Sequence, residues 1–334
     1  PAVVVAADDV ADIVTAVRFA AEHGVGLGVQ ATGHGVTRTV DGGVLLLTGR
    51  LTGVSIDPAA RTAWVAAGST WGPVLAAAQD HGLAPVLGSS SHVGAVGYTL
   101  GGGVGWLARK YGAAADSVRA FEVVVPDGRL VRASADENVE LFRALRGGGG
   151  GTFGVVTGME ISLYPVTTVY GGNLLYPIDS ARDVVTAWAE WVVDAPDELT
   201  SEVMLINYPP MPELPEAIRG KSFAIMRGCW CGPVDEGRAL LDEWRRRMPP
   251  MVDLWDEMSF RDVDTISSDP VDPLPALLTG GWMRDVDRDV ADTLARATFV
   301  DGPPPLLFSE IRHLGGAVRS GDRAHSVLGN RDES

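Results

Sequence analysis

Apolar residues recur at two spacings along this chain, and each spacing predicts its own kind of element. Val10, Ile13, Val14 and Val17 follow the i, i+3, i+4, i+7 rhythm of an amphipathic helix from Asp8 to His23. Asp8 or Asp9 can cap its start and Gly24 ends it. Thr70 to His81, closed by Gly82, and Asp136 to Arg146 also read as helices. Short apolar runs bounded by turn residues predict strands at Val25 to Ala31, Val44 to Leu47, Val54 to Asp57 and Thr62 to Ala67. Asp57-Pro58 is a turn. Phe121 to Val125 and Arg129 to Ala133 flank Pro126-Asp127-Gly128, a hairpin signature, and Phe153 to Tyr164 returns as a strand.

The pattern changes character at Tyr164-Pro165. Trp188, Trp191, Trp230, Trp244, Trp255 and Trp282 lie beyond it, against three tryptophans before it. Helices are predicted at Ala181 to Val193, Asp235 to Arg247 and Val286 to Thr298, and strands at Glu202 to Asn207, Ser222 to Cys231 and Leu306 to Ile311. Pro209 to Pro215 and Pro303 to Pro305 read as loops. The expectation is an α+β chain of two domains, residues 1–165 and 166–334, the second an antiparallel sheet backed by helices.

Composition narrows the partners. A chain of 334 residues with 46% hydrophobic and 21% charged residues fits one large or two ordinary globular domains. Lys+Arg 27 against Asp+Glu 43 leaves a net charge of −16, which repels phosphate backbones and argues against nucleic acid. No apolar run approaches the ~18 residues that a membrane span needs. Cys229 and Cys231, two apart, read as small hydrophobes and fit a reducing, cytoplasmic setting. The sequence starts at Pro1 without a Met, so secretion stays open.

Candidate chemistry concentrates where glycine does. His34 stands between Gly33 and Gly35, and two further clusters follow, Gly101 to Gly105 and Gly147 to Gly151. Glycine lets backbone approach a ligand closely and permits positive φ. Three such stretches suggest backbone wrapped around a large anionic cofactor. Other motifs fail on context. Gly26-Leu-Gly-Val-Gln-Ala31 has the dinucleotide spacing but follows a helix and lies in a strand. Gly220-Lys-Ser222 lacks the first glycine of a phosphate loop, since position 215 is Pro. Gly88-Ser-Ser-Ser-His92 is not a nucleophile elbow, and the six histidines have no zinc spacing.

Four segments together carry a resemblance: Ala31-Thr-Gly-His-Gly35, Gly88 to Gly105, Leu141 to Thr157 and Ile311 to Ala317. They resemble the berberine-bridge-enzyme-like branch of the FAD-linked oxidases. The resemblance implies a two-subdomain FAD-binding domain of the vanillyl-alcohol-oxidase type over residues 1–165, plus the antiparallel-sheet substrate domain. It implies FAD held by Ala31, Thr32, Gly33, His34 and Gly35, by Ser89, Ser90, Val93, Gly94, Gly97, Tyr98 and Gly103, and by Gly154 and Val156. Arg146 to Gly151 would complete the adenine and diphosphate side. His34 would bond covalently to the flavin. Many members carry a second, cysteinyl tether, but Ser90 stands in that place and lacks a thiolate's nucleophilicity. Gln30-Ala31-Thr32 stands where Arg-Ser-Gly is commoner. Val93 falls at the oxygen-gatekeeper position, where valine goes with oxidases.

The same resemblance implies an FAD-dependent oxidase of an alcohol or related C–H donor on a small natural product, passing hydride to flavin N5 and reducing O2 to H2O2. A dehydrogenase with another acceptor and a non-catalytic flavin-fold binding protein are the alternatives. Val93, Glu310 and Arg312 are the candidate catalytic residues, although a purely structural charge at Glu310 stays open. Strand alternation is read here as putting Arg312 on the face opposite Glu310. Family members run on past the point resembling Ala324 to Arg331. Their last segment returns to the FAD domain and often supplies the base. With Ser334 as the last residue, that return is expected to be absent, and no base is assigned.

Overall fold

A computed structural model describes residues 1–36, 38–148, 150–272, 276–300, 302, 304–322, 324–329 and 331. Gly149 of the five-glycine run and Pro303 of the last proline cluster lie outside the described residues. The strands fall into three sheets, in chain order. The first is parallel and contains β1 (Val3–Ala6), β2 (Leu27–Gln30) and β3 (Val44–Leu47), with β3 central. Helix α1 (Val10–His23) makes the crossover from β1. The Asp9 side chain caps α1 by accepting from the Asp12 N–H, and Gly24 closes it at φ 62°. The apolar stripe of α1, Ile13, Ala16 and Val17, packs with Leu46 and with Val124 and Val155 of the second sheet.

That second sheet is antiparallel. It contains β4 (Val54–Asp57), β5 (Thr62–Ala66), β6 (Val118–Val124), β7 (Leu130–Ser134) and β8 (Val155–Ser162), in the order β4-β5-β8-β6-β7. Helices α2 (Trp71–Gln79), α3 (Ala95–Leu100), α4 (Ala108–Tyr111) and α5 (Val139–Gly148) accompany it. Trp71, Val74 and Leu75 of α2 share a core with Phe121, Phe142, Leu145 and Met159.

The third sheet is antiparallel. It is built from β9 (Thr168–Pro177), β10 (Leu199–Asn207), β11 (Ser222–Trp230), β12 (Val252–Asp253), β13 (Asp256–Ser259) and β14 (Phe308–Arg312). Four strands run in the order β9-β11-β10-β14, and β12 and β13 both pair with β9. Around it lie α6 (Ala181–Trp191), α7 (Val234–Arg247), α8 (Asp264–Ser267), α9 (Arg288–Thr298) and α10 (Gly316–Ser320). The periodicity missed β9. Gly171-Gly172 reads as a turn, yet here it lets another backbone approach: a Cβ on Gly172 would lie 2.7 Å from Trp255 Cα.

Strand alternation gives this sheet two unlike faces. Leu199, Val203 and Leu205 of β10 join Ala224 and Met226 of β11 and the α6 and α7 residues Val184, Trp188, Leu241 and Trp244 in one core. Two of the tryptophans buried there have partnered indole N–H groups. Trp188 Nε1 donates to Ser201 Oγ at 3.1 Å and Trp244 Nε1 to the Tyr176 hydroxyl at 2.8 Å. The alternate residues Thr200, Glu202, Arg227, Cys229, Glu310 and Arg312 form the other face, and Cys229 packs into the core of the second sheet. Both cysteines are buried and free.

The chain ends by folding back. Arg146, 3% exposed, donates from Nε to Ala115 O (2.8 Å) and from Nη2 to Asp116 O (3.0 Å). Its Nη1 donates to Asp322 Oδ2 and His325 O, both at 3.0 Å. Val327 N donates to Arg146 O, and Arg331 pairs with Asp116. Asp322, His325, Val327 and Arg331 are thereby tied to the first half. The physical reason is the buried guanidinium, which requires acceptors on both sides. Arg146 is thus occupied by protein groups rather than presented to a ligand, and α5 kinks there, with Gly147 at φ 96°. Arg146→Met is expected to lower unfolding stability by about 3 kcal/mol, because it strands buried carbonyls and the Asp322 carboxylate. Urea denaturation checks this, and an unchanged midpoint would reject the role.

Candidate active site

The glycines flanking His34 are both left-handed, Gly33 at φ 82° and Gly35 at φ 69°, so the loop turns sharply and leaves the imidazole exposed. The His34 N–H donates to Thr32 Oγ1 at 3.3 Å. Ala31 and Thr32 pack on the second glycine segment: a Cβ on Gly94 would lie 3.7 Å from both. The first two segments are thereby brought together.

The segment from Ser89 to Gly94 is pinned from two sides. Trp71 N donates to Val93 O (3.1 Å) and Gly72 N to Ser91 O (2.8 Å), at the start of α2. From the other half, Asp264 at the start of α8 accepts from the Ser91 N–H (3.0 Å) and from its hydroxyl, and Asp269 accepts from Ser89 Oγ at 2.6 Å. Ser90 sits half-buried between these anchors, and Val93 packs against the core of the second sheet. Helix α3 then presents open backbone at Gly97, where a Cβ would meet nothing within 4 Å.

Tyr98 points inward. Gly88 and Gly103 (φ 75°) crowd its ring, and a Cβ on Gly88 would lie 2.9 Å from Tyr98 Cε2. Its hydroxyl is buried with no hydrogen-bond partner among the described residues, and burial pushes the phenol well above its ordinary range. An unpartnered buried hydroxyl beside bare glycine backbone fits a site whose polar partner is a bound molecule. Gly154 (φ 149°) and Val156 are less open. A Cβ on Gly154 would lie 2.7 Å from Val124 O, and Val156 is buried in β8, so only their main chain can face a ligand.

On the other side of the cleft stand Glu310 and Arg312. They share a face of β14, which corrects the expectation that they oppose one another. Residues two apart on a strand point the same way, and Arg312 Nε contacts Glu310 Oε1. Both belong to a charge quartet that sequence reading missed. Glu202, 2% exposed, lies between Arg227 Nε and Arg312 Nε, the latter at 2.9 Å. Arg227 Nη2 also donates to Glu310 Oε2 at 2.9 Å. Register makes the quartet, since Glu202 pairs across with Arg227 on one side and Arg312 on the other. A lone charge within an apolar run, as in Glu202-Val-Met-Leu-Ile206, was the available signal.

Burial pushes the Glu202 carboxyl up to about 7 against the pull of Arg227 and Arg312. Burial also acts on Glu310, but Arg312 and Arg227 outweigh it and hold that carboxyl below its usual range. Glu310 is therefore an ion-paired structural charge. Ser89, Trp106 and Gly105 of the first half and Thr200, Glu202 and Arg312 of the third sheet line one small cleft. Below it, buried Arg109 locks α4 to the end of β14, with Nη1 2.9 Å from His313 Nε2 and Nη2 donating to Ala195 O at 2.9 Å. Burial and Arg109 lower the His313 pKa to about 3, so its ring stays neutral.

Residues 1–134 match the family described as FAD binding domain. An FAD-linked oxidoreductase of Dictyostelium discoideum is 33% identical over 207 residues, 61% of this chain and 46% of that protein. The crystal structure of 6-hydroxy-D-nicotine oxidase from Arthrobacter nicotinovorans superposes with a TM-score of 0.70 at 26% identity, covering 79% of this chain and 57% of that one. A berberine-bridge-enzyme-like protein of Arabidopsis thaliana reaches a TM-score of 0.81 over 99% of this chain and 70% of that one. At 23% identity, that likeness speaks for the fold alone. The chain spans less than half the length of the curated relatives that it matches. Among the described residues, no helix is long and apolar enough to cross a membrane.

The quartet makes stability pH-dependent. A carboxyl raised on folding contributes stability that is full below its unfolded value and is lost as pH rises through its folded value. Glu202 should thus weaken the fold progressively from about pH 4.5 to about 7. In Glu202→Gln that downward slope should flatten when denaturation midpoints are compared at intervals across this range. A parallel slope in both proteins would reject the assignment.

Proposed function

We propose that this chain, which carries an FAD binding domain and has the fold of the berberine-bridge-enzyme-like FAD-linked oxidases, provides the flavin and substrate sites of an FAD-dependent oxidase. Its substrate is an alcohol or related C–H donor on a small natural product, and its acceptor is O2. The observation that carries this reading is the match of residues 1–134 to an FAD binding domain, together with exposed His34 between the left-handed Gly33 and Gly35. Residues 1–165 serve as the FAD domain and residues 166–334 as the substrate domain.

Bound FAD supplies the hydride acceptor and the reduction of O2. The chain's own residues hold and shield it. Ala31, Thr32, Gly33 and Gly35 offer turning backbone to the diphosphate. His34, exposed at the tip of its loop, is the covalent anchor. Gly94, Gly97, Tyr98 and Gly103, together with Ser89 and Ser90, would hold the flavin. Ser90 brings no thiolate, so the attachment is single. Gly154 and Val156 contribute main chain only. Val93, whose carbonyl accepts from Trp71 N, would govern O2 access by being one methylene smaller than leucine.

Two measurements test this. Acid-precipitated protein should keep its yellow colour, and His34→Ala should release FAD into the supernatant while still binding it before denaturation. Peptide mapping should find flavin on the His34 peptide alone. Colour released from the unmodified chain would reject the tether. Val93→Leu should slow flavin reoxidation by O2 roughly tenfold or more while sparing reduction, by analogy with the 10–200-fold that one methylene can command in a tight pocket. Unchanged reoxidation in stopped flow would remove Val93 from the mechanism.

A further inference from the structure

Arg312 is held along one edge and uncommitted along the other. Its Nε contacts Glu310 and Glu202, whereas neither terminal nitrogen has a hydrogen-bond partner among the described residues. The side chain is 38% exposed and lines the cleft with Ser89, Trp106 and Thr200.

The quartet does not need Arg312 for pairing alone. Arg227 already reaches both carboxylates, Glu202 through Nε and Glu310 through Nη2. Buried ion pairs are rarely the most stable filling for such a space, so stability is a weak reason for the second arginine. What the two glutamates do for Arg312 is fix its plane, leaving a rigid pair of N–H donors aimed away from them. A guanidinium fork matches the two oxygens of a carboxylate. A phosphate dianion fits less well, because Glu202 and Glu310 stand directly behind the fork.

We infer that Arg312 is the recognition point for a carboxylate on the substrate. This rests on the function proposed above, with the cleft as its substrate site. Arg312 is then a binding and specificity residue, and Glu202 and Glu310 are positioning residues that act through it.

Benzoate is the probe, with benzamide as its neutral isostere. Each is titrated into the FAD-loaded chain and followed by the flavin visible spectrum and by calorimetry. Benzoate should bind saturably and benzamide much more weakly. Arg312→Gln should weaken benzoate roughly tenfold to a hundredfold, the span of a lost charged hydrogen bond. Arg312→Lys should fall between, since an ammonium keeps the charge without the fork. If Arg312→Gln does not fold, the lysine variant carries the test. Equal benzoate affinity in the unmodified chain and the Arg312 variants would overturn the inference. So would benzamide binding as tightly as benzoate, or inorganic phosphate displacing benzoate at equal concentration. Protein that binds benzoate but takes up no FAD would reject the flavin reading and leave Arg312 in its role.

Discussion

Four arginines withdrawn from water hold the two halves of this molecule in one arrangement. Arg109, Arg146, Arg227 and Arg331 are each 3–5% exposed, and each reaches groups far away in sequence. Taking a guanidinium out of water costs several kcal/mol unless its donors are met. Here most are met, by carbonyls at Ala115, Asp116, Ala195 and Val318 and by the carboxylates of Asp116 and Glu202, while Arg109 Nε has no partner among the described residues. A cation satisfied this way tolerates little sliding, because displacement would leave it unpaired. The seam between the glycine-rich half and the third sheet is therefore held by directional contacts rather than by apolar packing alone.

That seam explains why the third sheet has two chemistries. Its helix-covered face is closed by Trp188, Trp244 and aliphatic side chains and needs nothing further. The opposite face carries Glu202, Arg227, Glu310 and Arg312 and is completed by the first half, with the Arg227 guanidinium 5.9 Å from the Trp106 ring. Glu202, Arg227 and Glu310 buried there find partners in one another, and Arg312 lines the cleft with its outer edge. The glycine segments stand on the other side of the same cleft, the loop from Ser89 to Val93 being clasped by Asp264 and Asp269 from the far half.

Much of this was legible in one dimension. The stripe of α1, its Asp9 cap and Gly24 stop, the Pro126-Asp127-Gly128 hairpin and the tryptophan-rich helices follow from local periodicity and turn chemistry, which depend on neighbours a few residues away. Strand β9 was hidden because Gly171-Gly172 mimics a turn, and its reason for being glycine lies across space, in the backbone at Trp255. The Arg312 placement went wrong at the step from spacing to face, although the spacing itself held the right answer.

The sequence alone determined the elements, the glycine-lined loop bearing His34 and the resemblance to FAD-linked oxidases, because propensity, capping and glycine conformation are local properties. It could not determine which charges would be buried, since arginine and glutamate are ordinarily surface residues and only register between β10, β11 and β14 puts Glu202 between two guanidiniums. Nor could it show that Asp322, His325 and Val327 reach Arg146, or that Asp264 clasps Ser91 across 173 positions. Contacts of that kind depend on how sheets pack, and the tertiary structure alone decides them.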